Sequence, residues 1–214
     1  MKTETKIMAS ILIFIAILLA GAVFFLSGDQ KTMSQGEGNQ LTYKIDYSNG
    51  QKIGSDSAKI KLVEFSDFQC PACKGFEPFL KQALTDYKND ILFVYKHFPL
   101  PQHLNAKTAA NMAEYAATEG KFWQMHDKLF ETQEQWSALK DPTEFFIKLG
   151  KEIGLDETKS REAIEKSLYN NLISRHKDEG INLEVSATPT VFLNGVKLKL
   201  QKFSDLTQEI QKQL

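Results

Sequence analysis

The sequence predicts an α/β domain in which a βαβ unit and a ββα unit are separated by a helical insertion, the whole preceded by a membrane-spanning helix. Three observations predict the domain. Residues 59–65 read as a strand, run straight into a helix opened by Pro71, and are followed by a short apolar strand at 91–95. Residues 103–179 then carry helical periodicity throughout. Finally, an apolar run at 190–193 meets the hairpin signal Asn194-Gly195 ahead of a closing helix.

At 214 residues, with 42% hydrophobic and 25% charged side chains, the chain can fold around one core. Its 26 basic against 27 acidic residues leave a formal charge of -1, which offers no field for nucleic acid. Function must come from a local site. Residues 1–6 read as a cytoplasmic N-terminus with Lys2 and Lys6, and residues 7–26 contain no charge, so as a helix they would span about 30 Å of hydrocarbon. A cleaved signal peptide is the rival reading because Ala20-Gly21-Ala22 resembles a cleavage site, yet Val23-Phe24-Phe25-Leu26 prolongs the apolar run. Both readings export the remainder.

Residues 27–40, rich in Gly, Ser and Gln, suit a flexible linker, and residues 41–214 form the expected domain. Residues 41–47 alternate as a strand would, and Ser48-Asn49-Gly50 supplies a turn before the strand at 59–65, where Ile60 and Leu62 share a face. Pro71 suits the first turn of a helix over 70–87, because its fixed φ is helical and its missing N–H costs no bond there. Pro78 should kink that helix. Four helices are expected in the insertion at about 103–179. Gly120 should end the first; Phe122, Met125, Leu129 and Phe130 share one face of the second; Asp141-Pro142-Thr143-Glu144 opens the third. Asp156 caps the fourth, along which Ile164, Leu168 and Leu172 recur and which Gly180 should terminate. A strand at 190–193, its hairpin partner to Leu200 and a helix from about Ser204 complete the chain.

The chain has two cysteines, and they fall in the run Cys70-Pro71-Ala72-Cys73 at the strand-to-helix junction. That spacing matches a redox-active dithiol. The free N–H groups and dipole of a helix start favour a thiolate at Cys70, while Cys73, one turn inward, can displace a substrate held on Cys70 in a mixed disulfide. A structural disulfide is the bland alternative, although so short a loop contributes only about 2 kcal/mol. A zinc site would need two more ligands, and His97, His103, His126 and His176 show no pair at metal spacing. His97 reads as structural, His126 as packed beside Phe122 and Leu129, and His176 as part of a solvated helix face.

The run Val63-Glu64-Phe65-Ser66-Asp67-Phe68-Gln69-Cys70-Pro71-Ala72-Cys73 resembles the active-site segment of DsbA-like thiol-disulfide oxidoreductases of the thioredoxin superfamily. Phe98-Pro99-Leu100 and Gly120-Lys121-Phe122-Trp123-Gln124-Met125-His126 resemble that family's helical insertion, and Ala187-Thr188-Pro189-Thr190-Val191-Phe192-Leu193-Asn194-Gly195 its cis-proline strand and hairpin. The resemblance covers the chain from about Tyr43 onward and implies a thioredoxin fold. It implies Cys70 as nucleophile, Cys73 as resolving thiol, Pro189 as a cis-proline facing them, Thr188 offering its backbone to substrate, and Glu64 as a buried acid relaying the proton of Cys73. Pro71 and Ala72 would tune the couple, and Ala72 departs from the best-known pattern, which has histidine there. No metal or organic cofactor is implied. The implied partners are cysteine-containing exported proteins and a membrane or extracytoplasmic redox partner. The other functions weighed are a reductase or isomerase, and an exported chaperone or peptide-binding module with an incidental disulfide.

Overall fold

The computed structural model describes residues 41–214. The expected cytoplasmic N-terminus, anchor and linker, residues 1–40, lie outside the described residues. Among the described residues no helix is long and apolar enough to cross a membrane.

Five strands form one sheet: β1 (Gln51–Ile53), β2 (Ile60–Ser66), β3 (Ile91–His97), β4 (Thr190–Leu193) and β5 (Val196–Lys197), in the order β1-β3-β2-β4-β5. β2 and β3 are parallel, in register from Ile60 opposite Ile91 to Ser66 opposite His97, and helix α1 (Pro71–Asp86) makes the crossover between them. All other pairings are antiparallel. The alternation of β2 divides the interior. Ile60 and Leu62 enter one core with Phe93 and Tyr95 of β3 and the buried side of α1. Val63 and Phe65 enter a second core with Leu92, Val94, Phe98 and Phe192. Each fully buried side chain of this size contributes about 1.5–3 kcal/mol, so this doubly covered strand is a firm base for the loop at its C-terminal end.

The insertion comprises α2 (Ala106–Thr118), α3 (Phe122–Glu131), α4 (Gln133–Trp136), α5 (Thr143–Glu152), α6 (Glu157–Glu165) and α7 (Asn170–Asn182), and α8 (Asp205–Gln211) closes the chain. Asp156 caps α6 by accepting from the Lys159 N–H at 2.8 Å, and Asp141 accepts from the Thr143 N–H at 2.9 Å at the start of α5. α1 runs unbroken through Pro78.

Four expectations are corrected. Residues 41–47 form no strand: Thr42 makes a single bridge to Val196 and the Tyr43 N–H donates to the Gly195 carbonyl. Their alternation reflects burial instead, with Ile45 in the second core and the Tyr43 ring edge-on to Phe192. The strand that opens the sheet is β1, on the other side of the turn. The expected fourth helix is two, because Ser167 turns left-handed (φ 51°) and the Ser167 and Leu168 N–H groups close back onto Ile164 and Ala163. The buried Asn111 holds this break by accepting from the Tyr169 N–H, and Leu168 is exposed despite its periodic position. Gly180 does not terminate α7 but lies within it, where a β-carbon would come within 2.7 Å of the Phe98 ring. The last strand stops at Lys197 rather than Leu200.

Candidate active site

β2 delivers the chain to the start of α1, and the loop between them is pinned from several sides. Asp67 is buried; its Oδ1 accepts from the Gln69 N–H at 2.7 Å, and its Oδ2 accepts from the Leu100 N–H at 2.8 Å and meets His103 Nδ1 at 2.7 Å. From the insertion, Gln133 donates to the carbonyls of Phe68 at 2.7 Å and Cys70 at 2.9 Å. Cys70 is the N-cap of α1 in extended conformation (φ -76°, ψ 119°), with Pro71 in the first turn. Its sulfur therefore sits where the free N–H groups of the helix point.

Both cysteines are thiols in this structure, Cys70 at 6% exposure and Cys73 fully buried. The Cys70 thiol donates to the Thr188 carbonyl at 3.3 Å, and the Thr188-Pro189 bond is cis. The structure thus brings Cys70, Cys73, Thr188 and Pro189 together from segments more than a hundred residues apart. Beside Pro189, a groove of about 190 Å³ is lined by Phe76, Val191, Leu198, Lys199, Leu200 and Phe203. Ala72 is exposed between the cysteines.

The two thiols have opposite electrostatics. The Cys70 pKa is lowered to about 5, first by the hydrogen bond from Cys73, then by the Thr188 side chain and the N–H groups of Cys73 and Ala72, against the opposing effect of burial. Cys73 is raised well above its usual value, first by burial and then by Cys70 and Glu64. Glu64, in the middle of the central strand with 0% exposure, is pushed up to about 7 by burial. The Ser66 hydroxyl lies near Glu64, Cys73 and Tyr95 and favours the charged form of each, yet none of these approaches has hydrogen-bond geometry.

Sequence reasoning misses three contributors. Glu77 lies one helical turn beyond Cys73 on the same buried side of α1, a spacing of four that is legible in the sequence. His126, expected only to pack, does sit among the rings of Phe68, Tyr95, Trp123 and Phe130, but its Nε2 also lies 3.5 Å from Glu77 Oε1. Gln133 carries no signal that sequence alone reveals. His176 is corrected: it is fully buried, lowered to about 3 by burial, and stacked on His97. Glu77, His126 and Asp127 bring one ligand atom each within 4.8 Å of one another, while Lys81 pairs with Asp127 at 2.9 Å.

A family model described as thioredoxin matches residues 47–212. The chain belongs to the thioredoxin family. Within that family its fold is the DsbA-like one with a helical insertion, in agreement with the resemblance of the active-site run. Oxidised BdbD from Bacillus subtilis superposes with a TM-score of 0.72 at 23% identity, over 81% of this chain and 97% of that one. The alpha-DsbA1 of Wolbachia pipientis superposes with a TM-score of 0.67 at 20% identity, over 80% of this chain and 92% of that one. A probable disulfide bond formation protein D of Bacillus anthracis is 27% identical over 100% of this chain and 99% of its own length. Other relatives are longer: the Na(+)/H(+) antiporter NhaA 1 of Mycolicibacterium gilvum is 31% identical over 85% of this chain, and the chain spans 29% of that protein's length.

Proposed function

We propose that this chain is a thiol-disulfide oxidoreductase that oxidises the cysteines of exported proteins from the outer side of the cytoplasmic membrane. The observation that carries the reading is the asymmetry of the pair: a Cys70 thiolate available at neutral pH beside a Cys73 that is buried and holds its proton. A client thiolate attacks Cys70 in the oxidised protein, the Cys70–Cys73 bond breaks, and Cys73 leaves and takes up a proton that Glu64 supplies. A second client thiolate then attacks the client sulfur of the mixed disulfide and expels the Cys70 thiolate, leaving the client oxidised and the pair reduced. The low Cys70 value stabilises this reduced form, which makes the couple an oxidant. Thr188 offers its carbonyl to an extended client backbone, and the groove at Pro189, whose lining mixes apolar side chains with Lys199, receives the side chains flanking the client cysteine. A membrane or extracytoplasmic redox partner re-oxidises the pair. The uncharged run at 7–26 supports tethering by an N-terminal helix.

The test is equilibration with a glutathione buffer, paired with oxidation of a reduced, unfolded client. A potential well above that of thioredoxin, about -270 mV, together with client oxidation is expected. A potential as low as thioredoxin's would replace the oxidase reading with a reductase.

A further inference from the structure

Away from the thiols, Glu77 of α1 and His126 of α3 turn polar atoms toward one another in the interior. Both residues are buried, and neither Glu77 Oε1 nor His126 Nε2 has a hydrogen-bond partner. Buried polar atoms are seldom left this way. The proton of His126 faces elsewhere: its Nδ1 lies 3.0 Å from Asp127 Oδ1, an acceptor, so Nδ1 carries the hydrogen and Nε2 keeps its lone pair toward Glu77. A lone pair and a carboxylate oxygen set against each other in a low-dielectric interior call for a positive group to join them. A direct N–H···O bond would draw the pair to about 2.7–3.2 Å, yet the two atoms stand 3.5 Å apart. At that separation an ion held about 2.0–2.1 Å from each, the usual zinc–ligand lengths, subtends an angle of roughly 115° between them, close to tetrahedral. The imidazole is fixed in place by the rings of Tyr95, Trp123 and Phe130, at centroid distances of 5.2, 5.2 and 5.0 Å. Asp127 beyond Nδ1 is the orienting carboxylate that metal-bound histidines ordinarily carry on their other nitrogen. Glu77, His126, Asp127 and Lys81 also line an open cavity of about 340 Å³, through which water can reach them.

We propose that Glu77 Oε1 and His126 Nε2 bind a divalent cation of zinc's class, with Asp127 orienting His126 and water from the cavity completing the coordination. One imidazole nitrogen with one carboxylate oxygen suits a borderline ion such as zinc, whereas magnesium and calcium take shells of oxygen. Asp127 stands close enough to serve as a third ligand by a side-chain rotation, since one atom from each of the three residues falls within 4.8 Å of the others. Lys81 is the native competitor: its ammonium pairs with Asp127 at 2.9 Å. Both partners of that pair are half-exposed, and exposed pairs are weak, so it gives way to a divalent ion. The bound ion ties α1 to α3, and thereby the helix that carries both cysteines to the helical insertion. Its cavity shares no residue with the groove at Pro189 and includes neither cysteine, so the site stands independently of the thiol-disulfide reading.

The experiment is calorimetric titration of the oxidised full-length protein with zinc chloride, the Cys70–Cys73 disulfide removing both thiols as competing ligands. One equivalent should bind, and the melting temperature should rise with zinc concentration. Glu77→Gln and His126→Ala should abolish binding, and Asp127→Asn should weaken it about tenfold, as loss of an orienting carboxylate does. Lys81→Ala, which removes the competing charge, should tighten it. Cobalt(II) in place of zinc should give the visible absorption of a tetrahedral ion, lost in Glu77→Gln. Absence of stoichiometric zinc binding would overturn the site, as would binding that survives Glu77→Gln unchanged or calcium binding as tight as zinc's. Should His126→Ala fail to fold, Glu77→Gln, which keeps the shape of the side chain, decides alone.

Discussion

Two groups of buried polar side chains lie along β3, and they are built differently. Around Lys96 and His97 every group is partnered: Lys96 donates to the Asp46 carbonyl and pairs with Glu179, and His97 Nε2 meets Glu114 Oε1 at 2.7 Å. The other Glu114 oxygen accepts from Gln51 at 3.0 Å, and His176 bridges the His97 N–H and Asn49. Around Cys73 the reverse holds: both Glu64 carboxylate oxygens, Ser66 Oγ and Tyr95 Oη have no hydrogen-bond partner, and Glu77 Oε1 and His126 Nε2 meet only at 3.5 Å. A closed network fixes β1, β3 and α7 against one another and resists change. An open one has proton positions to spare, which is what a buried thiol that gains and loses a proton requires.

Substitutions should separate the two groups. The largest effect belongs to the site itself: Cys70→Ala should abolish exchange, and Cys73→Ala should accumulate mixed disulfides through Cys70, visible on non-reducing gels. Next, Glu114→Ala leaves His97 and Gln51 without their acceptor in the interior and should cost about 1–3 kcal/mol in denaturant unfolding, while the pH profile of Cys70 alkylation stays in place. A shifted profile would mean that the two groups are one network. Glu64→Gln should act in the opposite sense. The folded-state value of Glu64, about 7, is raised above its ordinary 4.5, so the folded protein binds the extra proton and stability falls as pH rises from 4.5 to about 7. Removing that carboxylate should stabilise the reduced protein by on the order of 1–3 kcal/mol at pH 8 and leave it unchanged near pH 4. Destabilisation at pH 8 would place Glu64 with the closed network. The smallest effect is expected of Ala72→His, which adds a donor near the Cys70 thiolate and should move the potential toward oxidising values by on the order of 30 mV, equivalent to about 1.4 kcal/mol.

Where local chemistry decides the structure, the sequence is readable. Pro71 marks the start of α1, Asp156 caps α6, and Asn194-Gly195, both at positive φ, closes the β4–β5 hairpin. The placement of Cys70 and Cys73 at the start of α1 is equally plain, because spacing and helix position are local properties. Reading fails where long-range contacts override a pattern. Residues 41–47 alternate because they pack on Phe192 and the second core, not because they pair with a strand. Gly180 looks like a helix stop, yet it makes room for Phe98 from the far end of β3. His176 has the spacing of a solvated face, and only the fold places it against His97. The polar surroundings of Cys73 are hidden for the same reason: Glu64, Tyr95, Glu77 and His126 come from β2, β3, α1 and α3, and only the Cys73–Glu77 spacing is visible in the sequence.

Thiol asymmetry is central to the proposed chemistry, and the rate of Cys70 alkylation as a function of pH tests it most directly. In the reduced protein a single thiol should react rapidly, with a midpoint at about pH 5, and Cys73 should remain unmodified until the protein unfolds. A midpoint near the ordinary cysteine value of 9.0, or equal reactivity of the two thiols, would contradict it.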